Sequence, residues 1–78
     1  MKHEYAEFRE KVKAELKKRL AVWELSEEDL EKYVQQEEEE IKGAYRGYLN
    51  PKKNDTREDD IRFDTGVSTV AMCLEYCY

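Results

Sequence analysis

Apolar residues recur along this chain at helical spacing. Tyr5, Phe8, Val12, Leu16, Leu20 and Trp23 follow one another every three or four positions. That spacing lines one face of a 3.6-residue helix and predicts a first helix over residues 3–23. Glu7 precedes Lys11 by four residues and Glu15 precedes Arg19 by four, both in the orientation that supports a helix. The segment Leu25-Ser26-Glu27-Glu28-Asp29-Leu30 then reads as a helix start. Ser26 can cap, Asp29 takes the third helical position, and Leu25 and Leu30 can close a hydrophobic staple across the cap. The helix predicted from there covers residues 27–48, with Leu30, Tyr33, Val34, Ile41, Ala44, Tyr45 and Tyr48 on its apolar side. Asn50-Pro51 ends it, because a residue before proline avoids the helical region.

Residues 50–60 are polar throughout and read as an exposed loop. Asp55 or Thr56 could cap a short helix carrying Ile61 and Phe63 and stopped by Gly66; an extended stretch over residues 57–65 is the alternative. Ser68 then repeats the capping signal, with Val67 and Met72 placed as a staple. The final helix, residues 69–77, is apolar on most sides, which marks a buried helix or one covered by another subunit. These elements predict one all-α domain. It is a small bundle of three helices, or four if residues 57–65 are helical, built on a long antiparallel hairpin and closed by the short apolar helix.

Composition narrows the function classes. In 78 residues there is room for one domain, and 42% of them are charged. No apolar run reaches the roughly 18 residues a membrane span requires. Met1-Lys2-His3-Glu4 leads into a charged segment, unlike a secretory signal. Cys73 and Cys77, four apart, are poorly placed to bridge if helical, and two thiols without a pattern suit a reducing cytoplasm. A domain this small depends on regular helices, a metal, a disulfide or a partner.

Charge is unevenly spread. Residues 1–22 carry seven basic and four acidic side chains, residues 23–49 three and nine, and residues 50–78 four and six. A basic first helix facing an acidic second one favours their antiparallel pairing, although each exposed pair contributes only about 0–1 kcal/mol. Glu37 falls within the second helix's apolar stripe, and Arg9 and Arg19 lie at the margins of the first. A buried Glu37 would need an arginine or lysine within reach and could fix helix register or a dimer. A solvated head over a buried stem, or a catalytic acid, are the other readings. Glu38, Glu39 and Glu40 read as a solvated face or as carboxylates imitating a phosphate backbone.

Familiar site chemistry is not signalled. His3 is the only histidine, and with Cys73 and Cys77 it supplies three metal ligands, one short of a closed zinc site. Asp55, Asp59 and Asp60 lack the glycine and closing glutamate of a calcium loop. No glycine-rich phosphate loop or His-based triad is present. No catalytic, cofactor or metal residue is expected, and no cofactor. Lys11, Lys13, Lys17 and Lys18 are interleaved with glutamates in a chain of net charge -5, which argues against direct nucleic-acid binding.

The tail Gly66-Val67-Ser68-Thr69-Val70-Ala71-Met72-Cys73-Leu74, ending in Tyr78, resembles the ends of small uncharacterised proteins of Gram-positive bacteria and their mobile elements. The resemblance covers about a sixth of the chain and implies a bacterial, mobile-element origin without an activity. The expectation is a non-enzymatic, cytoplasmic protein acting through protein contacts with an unidentified partner or with itself. The alternative is a regulator of a nucleic-acid-binding protein, of the acidic-decoy type.

Overall fold

The first apolar stripe is buried as its spacing requires: Phe8, Val12 and Leu16 are fully buried and Leu20 nearly so. The computed structural model describes residues 3–78. Among the described residues four α-helices follow in order, α1 (Tyr5–Arg19), α2 (Glu27–Gln36), α3 (Glu38–Leu49) and α4 (Asp59–Cys77). No strand occurs among the described residues, and no helix there is long and apolar enough to cross a membrane.

Helix α1 stops four residues earlier than its stripe predicts. Ala21–Trp23 form a single 3-10 turn, and Glu24 takes a left-handed conformation with φ 51°. Trp23 therefore leaves the stripe and is 61% exposed. A glutamate at positive φ carries a steric cost that glycine does not. Glu24→Gly is expected to stabilise the chain by about 0.5–1 kcal/mol, read as a higher midpoint in urea.

The start of α2 matches its local signal. Ser26 Oγ accepts the Asp29 backbone N–H at 3.1 Å, and three acids occupy the first turn. Leu30 is buried and Leu25 packs against the core. The second predicted helix is nevertheless two, interrupted at Glu37, whose φ is -100° and ψ 20°. Backbone bonding spans the joint: Glu37 N donates to Tyr33 O and Ile41 N to Glu37 O. The restart places Glu38, Glu39 and Glu40 in the first turn of α3. There the helix dipole favours acids, whereas an unbroken helix would hold the same run at mid-length.

The C-terminal half departs further from expectation. Over residues 59–77 a single 19-residue helix replaces the end of the loop, the helical-or-extended segment and the short helix. Only residues 50–58 are left as a connection. Gly66 does not stop the helix and Ser68 does not cap it. Gly66 lies inside it because Phe8 packs there: a Cβ at that position would meet Phe8 Cε2 at 3.3 Å. Burying Phe8 against the bare backbone outweighs the roughly 1 kcal/mol a helical glycine costs. Nor is the end of α4 buried all round. Val70, Ala71 and Leu74 face the core, while Met72, Cys73, Tyr76 and Cys77 are exposed.

Helix α4 packs on α1 and α3. It runs in the same direction as α1, with Gly66 beside Phe8 and Glu75 beside Arg19. It runs against α3, with Asp59 hydrogen-bonded to Tyr48 and Cys73 lining the same groove as Glu40. One core joins all four helices: Phe8, Val12, Leu16, Val34, Ile41, Phe63 and Leu74 are each at most 2% exposed.

Candidate interaction surface

The surface least like the rest of this chain is the outer side of α4. From Thr65 to Tyr78 only one residue in fourteen, Glu75, is charged. Glu75 is already used, accepting from Arg19 Nη1 at 3.1 Å. The outer side therefore presents Thr65, Ser68, Thr69, Met72 and Tyr76, all exposed and none charged. Met72 is 42% and Tyr76 83% exposed. Beside this strip a shallow groove separates α4 from α3, with Glu39, Glu40 and Arg46 on one bank and Thr69 and Cys73 on the other. Both cysteines are free thiols at the surface. Beyond the end of the strip the Tyr78 ring lies 5.6 Å from Trp23 and 5.0 Å from Tyr33.

Ion pairs between α1 and the acidic helices divide the charge much as its uneven spread suggests. Lys17 reaches Glu27, Lys13 reaches Glu31, and Arg9 binds both Glu31 and Glu38. The Arg9 site is the most developed. Its Nη2 and Nη1 donate to the two oxygens of Glu31, and Nε donates to Glu38 Oε1 at 3.2 Å. Tyr5 donates to the same Glu38 oxygen at 2.9 Å. The Arg9 guanidinium holds Glu31 below the ordinary carboxylate range. The Tyr5 hydroxyl, then Arg9, does so for Glu38. Burial, followed by the Glu38 bond, pushes Tyr5 up to about 12.

Glu37 is not the residue that Arg9 or Arg19 meets. It is half-buried at the joint between α2 and α3 and makes no ion pair among the described residues. The break at Glu37 turns the next carboxylate, Glu38, toward α1. Glu37 acts at a distance on Tyr33, whose hydroxyl donates to Leu74 O at 2.6 Å. Burial, aided by the Glu37 charge, raises Tyr33 to about 12. Arg19 pairs with Glu75 and lies 3.3 Å from Glu15. Glu39 and Glu40 are exposed and have no ion pair among the described residues.

His3 supplies a cluster that sequence spacing does not reveal. Its ring stacks on Phe63 at a centroid distance of 3.9 Å. Nδ1 meets Glu7, and Nε2 lies 2.7 Å from Asp60 and 4.0 Å from Asp59. Its backbone N–H donates to Tyr48, whose hydroxyl donates to Asp59, and its carbonyl accepts from Tyr45. Arg62 completes the surround, pairing with Asp59 and lying 5.4 Å above the Tyr48 ring. The start of α1 is thus fastened to α3 and to the start of α4. The grouping of His3 with Cys73 and Cys77 does not form, since those residues lie about 20 and 25 Å further along α4 than Asp60. Glu7 is four residues from His3, whereas Asp59 and Asp60 are more than fifty residues away.

Hydrogen bonding by Asp60, then Glu7, outweighs desolvation and raises the His3 pKa above 6.5. A raised value means the folded chain favours the imidazolium. Its contribution is complete below pH about 6.5 and is lost as pH rises through the folded value. Urea midpoints of the parent are therefore expected to fall between pH 6 and pH 8.5 relative to those of His3→Gln; parallel curves would rule the contribution out.

No known protein family, curated protein or solved structure matches the chain.

Proposed function

We propose that this is a non-enzymatic protein that works by binding another protein chain through the uncharged outer side of α4. The observation that carries the reading is the contrast between that strip and a chain with 42% charged residues. Exposed apolar groups bordered by polar ones are the composition of a contact surface. Much of the polar chemistry elsewhere is engaged: His3 between carboxylates, Arg9 between Glu31 and Glu38, and Arg19 on Glu75. The likeness of the tail to small proteins of Gram-positive mobile elements supports an accessory role in such an element.

Capture from the source cell tests this reading, using the parent and Met72→Glu with matched circular dichroism. A partner retained by the parent and lost by the variant is expected. The same proteins retained by both would refute it. A second reading, an acidic decoy for a nucleic-acid-binding protein, draws on Glu39 and Glu40, whose carboxylates have no ion pair among the described residues. It requires a salt-sensitive complex that Glu39→Gln with Glu40→Gln abolishes and Met72→Glu leaves intact.

A further inference from the structure

The strip on α4 carries more information than its lack of charge. Ile61, Thr65, Ser68 and Met72 follow at intervals of four, three and four, and Tyr76 continues the line. This is the spacing of a helix seam that meets another helix along its length. All five are exposed, Ile61 at 49%. The seam is about 22 Å long at 1.5 Å per residue. Its middle is built of Thr65 and Ser68, small enough to let a second helix approach closely.

The two edges of the seam differ in charge. On the α1 side, Arg19 is turned toward Glu75 of α4, with Glu15 beside it. Lys11 and Lys18, seven apart on one line of α1, lie just outside them and are exposed. On the α3 side Glu39 and Glu40 border the groove at the level of Thr69 and Cys73. Because α1 runs with α4, with Phe8 at Gly66 and Arg19 at Glu75, Lys11 and Lys18 stand at about the same height as that pair of acids. Nearer the start of α4, Asp64 falls on the α1 side, on the same line of the helix as Ala71 and Glu75. Arg46 shares the α3 bank of the groove with Glu39 and Glu40, six residues beyond Glu40 along α3 and so toward the start of α4. None of these six charges has an ion pair among the described residues.

We infer that the partner of this surface is a second copy of the same chain, with the two α4 helices packed side by side in the same direction. This rests on the reading of α4 as the contact surface. A two-fold axis lying along the seam brings the α1 edge of one copy onto the α3 edge of the other. Lys11 and Lys18 then meet the partner's Glu39 and Glu40, and Asp64 meets the partner's Arg46. An antiparallel arrangement would instead set each edge against its own copy, lysines facing lysines. Symmetric dimers need such self-complementary surfaces, and edge charges select among their orientations. A single helix seam is a small interface, so the dimer is reversible, with dissociation in the micromolar range or weaker.

Sedimentation from about 1 µM to about 1 mM tests the association. The parent should shift from monomer toward dimer. Lys11→Glu with Lys18→Glu should weaken it at least about tenfold, as should Glu39→Lys with Glu40→Lys, and combining all four should restore it. Orientation is read in a Cys73→Ser, Cys77→Ser background under mild oxidation. Ile61→Cys and Met72→Cys should each form linked dimers, because in a parallel pair every seam residue faces itself. Linkage by Ser68→Cys alone, near the centre of the seam, would mean an antiparallel pair and overturn the inference. A monomer at every concentration would also overturn it. That result would leave α4 as a surface for a different protein, which the Met72→Glu capture decides separately.

Discussion

Phe8→Ala is expected to remove about 3–5 kcal/mol of stability, a large share of what holds a chain of this length folded. Phe8 is fully buried, its ring meeting Phe63 edge-on at 5.6 Å and Tyr45 at 5.5 Å. It also fills the space left by Gly66 on the facing helix. Truncation empties the contact between α1 and α4 at its centre, and the rigid backbone at Gly66 has no side chain with which to fill the gap. A chain of this length has about 4–12 kcal/mol in total, so the variant should melt roughly 15–30 °C below the parent. Scanning calorimetry reads this directly. Phe8→Leu should cost less, because most of the volume remains. Gly66→Ala provides an internal check. In the parent its methyl presses on the Phe8 ring at 3.3 Å. In the Phe8→Leu background the methyl has room, so the alanine should be more favourable there than in the parent. Equal effects in both backgrounds would mean that Phe8 and Gly66 are not coupled.

Arg9→Met should cost about 1–3 kcal/mol. Among the described residues, Arg9 is the one side chain of α1 with ion pairs to both α2 and α3, through Glu31 and Glu38 on either side of the joint at Glu37. Its side chain is 18% exposed and those of the glutamates about a third exposed, so the network lies between a surface pair and a buried one. Methionine keeps the apolar stem and leaves two carboxylates without their shared cation. Arg9→Lys should recover only part of the loss, since an ammonium cannot donate in a fork to Glu31 while also reaching Glu38. The pH dependence has a definite sign. Both carboxylates are held below their ordinary range. Their contribution is therefore present above pH about 4.3 and is lost as pH falls through the folded values. Protonation removes the attraction in the parent and the repulsion in the variant. The difference between their urea midpoints should therefore shrink in acid; a gap independent of pH would contradict the assigned pairing.

Local signals were legible in this sequence where one short segment settled the outcome. The Ser26 cap depends on residues 26–29 alone and formed as its spacing implies. The stripe from Phe8 to Leu20 needed only helical periodicity. What escaped were features decided by distant residues. Gly66 reads as a stop because glycine is a poor helix former, yet its place in α4 is set by Phe8, 58 positions away. Ser68 has the chemistry of a cap, but capping is of no use to a helix already running through it. Glu37 falls on the apolar stripe only if helical periodicity runs unbroken through the joint. Once the helix breaks, Glu38 takes the position facing Arg9. The His3 cluster joins residues 3, 7, 48, 59 and 60, and no window of sequence contains them together. The outer strip of α4 was visible as apolar, but its two charged edges needed the directions of α1 and α3.

The displacement of Trp23 from the α1 stripe has an optical consequence. This chain has a single indole, and it sits at the surface against the ring of the C-terminal residue, away from Phe8 and Phe63. Its emission therefore responds to the docking of Tyr78. A melt followed by tryptophan fluorescence should report release of the last turn of α4 at a lower temperature than the loss of helicity. Disagreement between the two signals in this protein would be a property of where its one fluorophore stands, and no folding intermediate would be needed to explain it.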